Sequence, residues 1–377
     1  MKRLLRFSKY LLIAVLSLSL LIGISVYAYM RLPKFGKAPS GERQARIEHS
    51  PNFRNGKFQN TLATPTLAEG HTMTGELYKA VFNKYPRRQP TDAIPTVKTD
   101  LLKIPRDSNV VVWFGHSSCF IQLNGKRILA DPVLSGNASP IPGTIKPFRG
   151  TDVYTVADLP EIDYLLISHD HYDHLDYETV LALKNKTKHV ICGLGVGADF
   201  EYWGYPKEKI LEKDWHEKVA VDSGFIIYAE EARHKSGRAG FNQENTLWLS
   251  FVIKAPAATI FISGDTGYGP HFAGIGRTYG PIDLAILENG QYDSAWHYVH
   301  MLPAEVLQAA QDLHAARLLP EHSSKFTLAR HTWDAPLVAI TALNKTFNIP
   351  LVTPMIGEVV SLDNKHQVFK QWWVGIR

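Results

Sequence analysis

From about residue 108 the chain runs through short apolar stretches separated by polar breaks. "NVVVWFGH", "CFIQL", "KRILADP", "DYLLISH", "KHVICGL", "FIIYAEEA", "TLWLSFVIKA", "TIFISGD", "DLAILEN", "RLLPEH" and "LVTPMIGEVVSL" are rich in β-branched and aromatic residues and bounded by turn formers. That pattern predicts strands. Three segments repeat their apolar residues at helical spacing instead: "YETVLALKN", "PAEVLQAAQDLHAA" with Pro303 at its start, and "DAPLVAITALNKTF". Strands mixed with helices predict an α/β domain, over residues 101–377, whose sheets are covered by helices.

The N-terminal part reads differently. Residues 10–30, "YLLIAVLSLSLLIGISVYAYM", carry no charge and follow the basic "MKRLLRFSK". A run of about 20 apolar residues is long enough to cross a bilayer as a helix. Residues 1–37 are therefore expected to be a single-pass membrane anchor with basic flanks. Lys2, Arg3, Arg6 and Lys9 favour a cytoplasmic N-terminus, though Arg31, Lys34 and Lys37 reduce the bias. A signal peptide cleaved after Ala28, with secretion, is the alternative. No cysteine lies near the end of the run, so a lipoprotein is not expected. Residues 38–100 are polar and predict a linker and arm that packs on the domain, with "FRNGKFQN" turning at Asn55-Gly56.

Composition narrows the classes. The chain has 377 residues, 45% of them hydrophobic, enough for a large core. The net charge is +5, and seven Lys/Arg lie within the first 37 residues, so the folded part is close to neutral. No basic stripe of the nucleic-acid-binding kind is present. Two cysteines do not make a disulfide framework, and their spacing excludes a CxxC site; Cys119 and Cys192 sit in apolar runs and are expected to be buried.

The chemistry is concentrated in "SHDHYDH", residues 168–174, directly after the apolar run "DYLLI". His169, His171, Asp173 and His174 can splay around a point in a loop after a strand. Imidazole and carboxylate are common ligands of zinc. One loop cannot fill two coordination spheres, so further ligands are expected at other strand ends. His234 ends "FIIYAEEARH", Asp265 lies in "TIFISGDTGY" and His322 ends "RLLPEH".

HxHxDH, a distant His, a "GDTG" Asp and a late His resemble the metallo-β-lactamase-fold hydrolases across residues 100–375. "WFGHSSCFIQLNGKRILADPVLS", "HDHYDHLD" and "SGDTGY" resemble one branch more closely. That branch holds the N-acyl-phosphatidylethanolamine-hydrolysing phospholipase D proteins and bacterial relatives of the RomA type; lactonases of ascorbate-derived sugars are more remote. The resemblance implies a four-layer αββα sandwich with metals at one edge. It implies one zinc on His169, His171 and His234, a second on Asp173, His174 and His322, and Asp265 bridging them. Iron or manganese would also suit these donors. A metal-bound hydroxide would then attack the substrate.

The expected function is a zinc phosphodiesterase of phospholipase D type on N-acyl-phosphatidylethanolamine-like lipids, in a bacterial inner membrane or envelope. A lactonase or other hydrolase of small soluble metabolites is the alternative. A structural metal protein is disfavoured, because structural zinc sites rarely need a bridging carboxylate. The resemblance places His300 at the active site, as a proton donor to the leaving alkoxide. Tyr268 is a candidate for lining the pocket, and His116 for supporting the ligands. His297 is expected at the surface. Trp372 and Trp373 are expected in the core, with a lipid contact as the alternative. His189, His216, His271, His314 and His331 receive no role. "GHSSC" does not match a nucleophile elbow, and "GLGVGADF" is read as a turn. The oligomeric state is left open, a homodimer included.

Overall fold

The computed structural model describes residues 2–238 and 243–377. The first apolar run is a single helix, α1 (Lys2–Tyr29), exposed along almost its whole length. At 1.5 Å per residue its 28 residues reach about 40 Å, more than a bilayer's hydrocarbon core. An arm follows, with α2 (Glu42–Glu48), the hairpin strands β1 (Phe53–Arg54) and β2 (Lys57–Phe58), and α3 (Met73–Phe82). Asn55 and Gly56 both take left-handed φ, 55° and 77°, as a tight hairpin turn requires. The arm packs on the domain: Ile47, Phe58 and Ile94 are all buried in the core between the sheets.

One sheet contains β3 (Val110–Trp113), β4 (Cys119–Leu123), β5 (Lys126–Ala130), β6 (Ile162–Ile167), β7 (Thr187–Gly193) and β8 (Ile210–Lys213). Helices α4 (Tyr177–Leu183) and α5 (Gly197–Tyr202) lie in its connections. The second sheet contains β9 (Glu217–Asp222), β10 (Phe225–Glu230), β11 (Ser250–Lys254), β12 (Thr259–Ile262), β13 (Leu284–Glu288) and β14 (Leu318–Glu321). Helices α6 (His271–Tyr279), α7 (Pro303–Asp312) and α8 (Ala335–Phe347) accompany it, and β15 (Val359–Ser361) returns to the first sheet beside β3. The spatial orders are β15-β3-β4-β5-β6-β7-β8 and β14-β13-β12-β11-β10-β9. Strands β5 to β8 run parallel, as do β12 to β14, so the C-terminal ends within each group open on one edge.

The period of two along each strand builds the layers. In β12, Ile260 and Ile262 face the other sheet while Phe261 faces the helices. In β6, Leu166 faces the other sheet and Leu165 and Ile167 pack against α4 and α5. Strands buried on both faces read as continuous apolar runs, which is why most were visible in sequence. The result is the four-layer αββα sandwich.

Helices α2 and α3 escaped the sequence pattern, and so did four elements within residues 101–377. Strands β8 and β9 are the edge strands of their sheets, and β9 alternates half-buried with exposed positions, its pattern diluted by Lys and Glu. Helix α5 occupies part of "GLGVGADF", which is therefore not only a turn. Helix α6 contains Gly274 and Gly276, and Gly276 lies where any side chain would strike the backbone of Asp312. Of "TLWLSFVIKA", only Ser250–Lys254 pairs as a strand; Leu247 and Leu249 instead donate across to Leu194 and Ser168 of the other sheet's edge. Trp372 and Trp373 are buried in the core, and both cysteines are buried and free.

Phe261 is fully buried against Phe272 at a centroid distance of 6.1 Å. Phe261→Ala is expected to cost about 3–5 kcal/mol, read from denaturant unfolding of the detergent-solubilised chain.

Candidate metal centre

Each candidate ligand leaves the end of a strand at the same edge. Strand β6 delivers His169 to His174, β10 leads to His234, β12 leads to Asp265 and β14 ends next to His322. Gly264 makes the turn before Asp265 possible. Its φ is +55°, and a Cβ there would stand 2.6 Å from the Cβ of Ser168. The two sheets are stitched at this edge, where His116 N–H donates to Ser323 O and His322 N–H to His116 O.

Three ring nitrogens converge on one point. His171 Nδ1 is 2.8 Å from His169 Nε2 and 3.2 Å from His234 Nε2, and Asp265 Oδ2 lies 3.8 and 3.7 Å from the latter two. Beside them is a second group of donors, His116, Asp173, His174 and His322. The other Asp265 oxygen faces it, 3.1 Å from both His174 Nε2 and His322 Nδ1. Thus Asp265 turns one oxygen to each group.

This geometry fits a pair of divalent cations. Burial, reinforced by neighbouring imidazoles, holds His169, His234 and His322 well below the usual histidine range, so they are neutral and offer lone pairs. Neutral rings whose nitrogens crowd to 2.8–3.2 Å beside a carboxylate suit a cation between them. Among the described residues, His174 Nε2 and Asp265 Oδ1 are buried without a hydrogen-bond partner. Buried polar atoms are rarely left so unless something else satisfies them.

A surrounding set of bonds orients the donors. His174 Nδ1 is 2.8 Å from Asp131 Oδ2, which also accepts from the Ser168 hydroxyl. His234 Nδ1 donates to Val299 O at 3.0 Å, and Ser117 Oγ lies 2.7 Å from His322 Nδ1. His116 Nε2 bonds Asp173 Oδ2 at 2.9 Å, so this histidine both supports a candidate ligand and belongs to the second donor group. The arm contributes too: Asn60 Oδ1 accepts from His234 N–H and its Nδ2 donates to His234 O. His116, Asp131, Gln291, His322 and Ser324 all have φ between 41° and 67°. Non-glycine residues in that region cost on the order of 1 kcal/mol or more each, and such strain gathers at functional sites.

The donors lie in a pocket of about 310 Å³ whose walls include Leu67, Trp296, Val299 and Leu328 beside His171, Asp173 and Asp265. Lys235 and His300 also line it. His300 Nδ1 lies 2.7 Å from Glu288 Oε2 and 4.0 Å from Asp265 Oδ2. Burial raises the Glu288 carboxyl, and its other oxygen accepts from Met301 N–H. Tyr268 is not in the pocket. Its hydroxyl donates to Asp312 on α7 at 2.6 Å, and its ring stacks on Phe272 of α6. His297 is half-buried against Tyr298 rather than free at the surface. A larger cavity of about 630 Å³ lies elsewhere, between α2 and α5, and its Arg43 is already paired with Glu201 and Glu212.

Comparison with known proteins gives this edge a family. The model of the beta-lactamase superfamily domain matches residues 126–323. The chain belongs to the metallo-β-lactamase superfamily. An uncharacterized protein of Mycobacterium tuberculosis is 33% identical over 345 residues, covering 89% of this chain and 91% of its own. Outer membrane protein RomA of Klebsiella pneumoniae is 52% identical over 107 residues, 28% of this chain and 80% of that one. A mitochondrial N-acyl-phosphatidylethanolamine-hydrolyzing phospholipase D of Saccharomyces cerevisiae is 33% identical over 237 residues, 58% of this chain and 48% of that one. The fold is shared with Igni18, a metallo hydrolase of Ignicoccus hospitalis, at a TM-score of 0.53 and 18% identity, over 70% of this chain and all of that one. The superfamily is one of metal-dependent hydrolases, and its His/Asp clusters are present here.

The structure brings all seven sequence-predicted ligands, and His300, to one edge of the sandwich. Glu288, Asp131, Lys235 and the arm residues Asn60 and Leu67 were not foreseen. Glu288 had a signal of the same kind as Asp265, a carboxylate ending an apolar run.

Asp265→Asn is expected to lower bound metal from about two equivalents toward one, read by elemental mass spectrometry of the purified chain. Asp131→Ala is expected to weaken metal affinity by about 10–100-fold in a chelator competition, since it removes the bond that orients His174.

Proposed function

We propose that this protein is a dinuclear zinc phosphodiesterase of phospholipase D type, acting on N-acyl-phosphatidylethanolamine-like lipids from a membrane in which α1 anchors it. The observation that carries the reading is the two donor groups sharing Asp265 in a pocket walled by Leu67, Trp296, Val299 and Leu328. Polar donors beside an apolar wall suit a phosphodiester with acyl chains attached. The yeast relative carries this activity in its name.

In this reading His169, His171 and His234 would hold one ion and Asp173, His174 and His322 the other, with Asp265 offering an oxygen to each group. When bound, two such ions activate a water at neutral pH and offset the charge that develops at phosphorus. The remaining steps belong to the chain. Lys235 presents a cation to the phosphodiester as a point charge. The apolar wall excludes water from the acyl side. The water oxygen bonds to phosphorus as the bond between phosphorus and the head-group oxygen breaks, giving phosphatidic acid and an alkoxide. His300 gives that alkoxide its proton, and Glu288, bonded to Nδ1, fixes the ring so that Nε2 faces the substrate.

A second reading has one observation in its favour. A pocket of about 310 Å³ holds a head group and part of a chain, and it would also hold a small lactone or ester.

Zinc-loaded full-length protein in mixed micelles is expected to convert N-acyl-phosphatidylethanolamine to phosphatidic acid and the N-acylethanolamine, by mass spectrometry, and to lose this activity on chelation. Cleavage of lactones with no phosphodiester turnover would replace the assignment with the second reading. His300→Ala is expected to keep the full metal content and slow turnover by about 10²–10⁴-fold. Loss of metal in that variant would make His300 a ligand.

A further inference from the structure

Helix α3 is amphipathic in the reverse sense. Met73, Leu77, Tyr78, Val81 and Phe82 share one face at helical spacing and are each between 62 and 67% exposed. The opposite, charged face holds the helix to the domain: Glu76 pairs with Arg330, which also grips Asp293, and with His71 and Lys79. A helix bathed in water turns its apolar stripe inward. Here five large apolar side chains face outward together, with the Tyr78 and Phe82 rings 4.8 Å apart.

The position of α3 selects what covers it. Thr66 and Leu67, a few residues before α3, line the catalytic pocket, and Ala68 N–H donates to Ala295 O beside the lining residue Trp296. Helix α1 and the residues after it are tied to the domain at two places. Tyr29 Oη donates to Pro140 O at 2.7 Å, next to exposed Ile141. Phe35 packs on Tyr172, between the pocket residues His171 and Asp173, and Arg238 donates to Lys34 O. The segment after the apolar span therefore packs on the loop that carries His171 and Asp173, and the segment before the outward apolar face lines the pocket itself.

We infer that α3 is a second membrane contact, lying in the lipid interface of the bilayer that holds α1, so that the pocket opens onto the lipid surface. Aromatic and aliphatic side chains on one face of a short helix suit that depth. The inference rests on α1 being embedded and not on which bond the enzyme cuts.

The test uses the full chain in phosphatidylcholine/phosphatidylglycerol vesicles, with an environment-sensitive fluorophore on single introduced cysteines. Cys119 and Cys192 are buried and stay unlabelled. Leu77→Cys and Phe82→Cys probe α3, Leu16→Cys reports α1, and Ser223→Cys marks the far edge, at the turn before β10. Nitroxide-bearing lipid is expected to quench the α1 and α3 labels to roughly half or less, while aqueous iodide quenches only the Ser223 label. Iodide quenching of both α3 labels, as strong as at Ser223, would overturn the inference. So would an α3 label shielded from both quenchers that crosslinks to a second copy, or an α1 label outside the bilayer. No substrate enters the readout, so the result is separate from the success or failure of the phosphodiesterase assay.

Discussion

One buried carboxylate organises this protein's working edge. Asp265 has five imidazoles within 4.0 Å, those of His169, His174, His234, His300 and His322. Stripping water from so many polar groups is costly unless they are compensated. Protons could compensate only some of them, because burial keeps three of the rings neutral. Metal ions held by His169, His174, His234 and His322 would compensate those rings and the carboxylate together, while Glu288 takes His300. The parallel strands supply the ends, Gly264 supplies the turn, and Asp131, Ser117 and Val299 fix the rings. Each device makes sense as support for charge held where water has been removed.

Legibility in sequence followed locality. HxHxDH was readable because four donors sit in one loop, and His234, Asp265 and His322 because each ends an apolar run. The sandwich was readable because its central strands are apolar on both faces. Edge strand β9 was not, because half its side chains meet solvent and its pattern is diluted by charge. Glu288 was missed because a single carboxylate at a strand end forms no motif; its meaning comes from His300, twelve residues away and across a turn. Tyr268 failed for the opposite reason. Its closeness to Asp265 in sequence suggested the pocket, yet three residues on the chain has already turned toward α6 and α7.

The polar stretch before residue 100 shows how composition can mislead. Its lack of apolar runs reads as a linker, yet it buries Ile47, Phe58 and Ile94 and lines the pocket with Leu67. Its few apolar residues are spent at specific depths rather than in a periodic stripe, so no window of sequence reveals them. A domain boundary near residue 101 is thus a boundary of composition and not of packing.

The reciprocal pair of bonds between Asn60 and His234 carries that point further. It joins residues 174 apart and holds the backbone of a candidate ligand from outside the sandwich. The portable unit of this chemistry is accordingly larger than the superfamily domain. A transplant of the sandwich alone onto another scaffold would carry every donor side chain but leave His234 with its Val299 contact and no second fixing point.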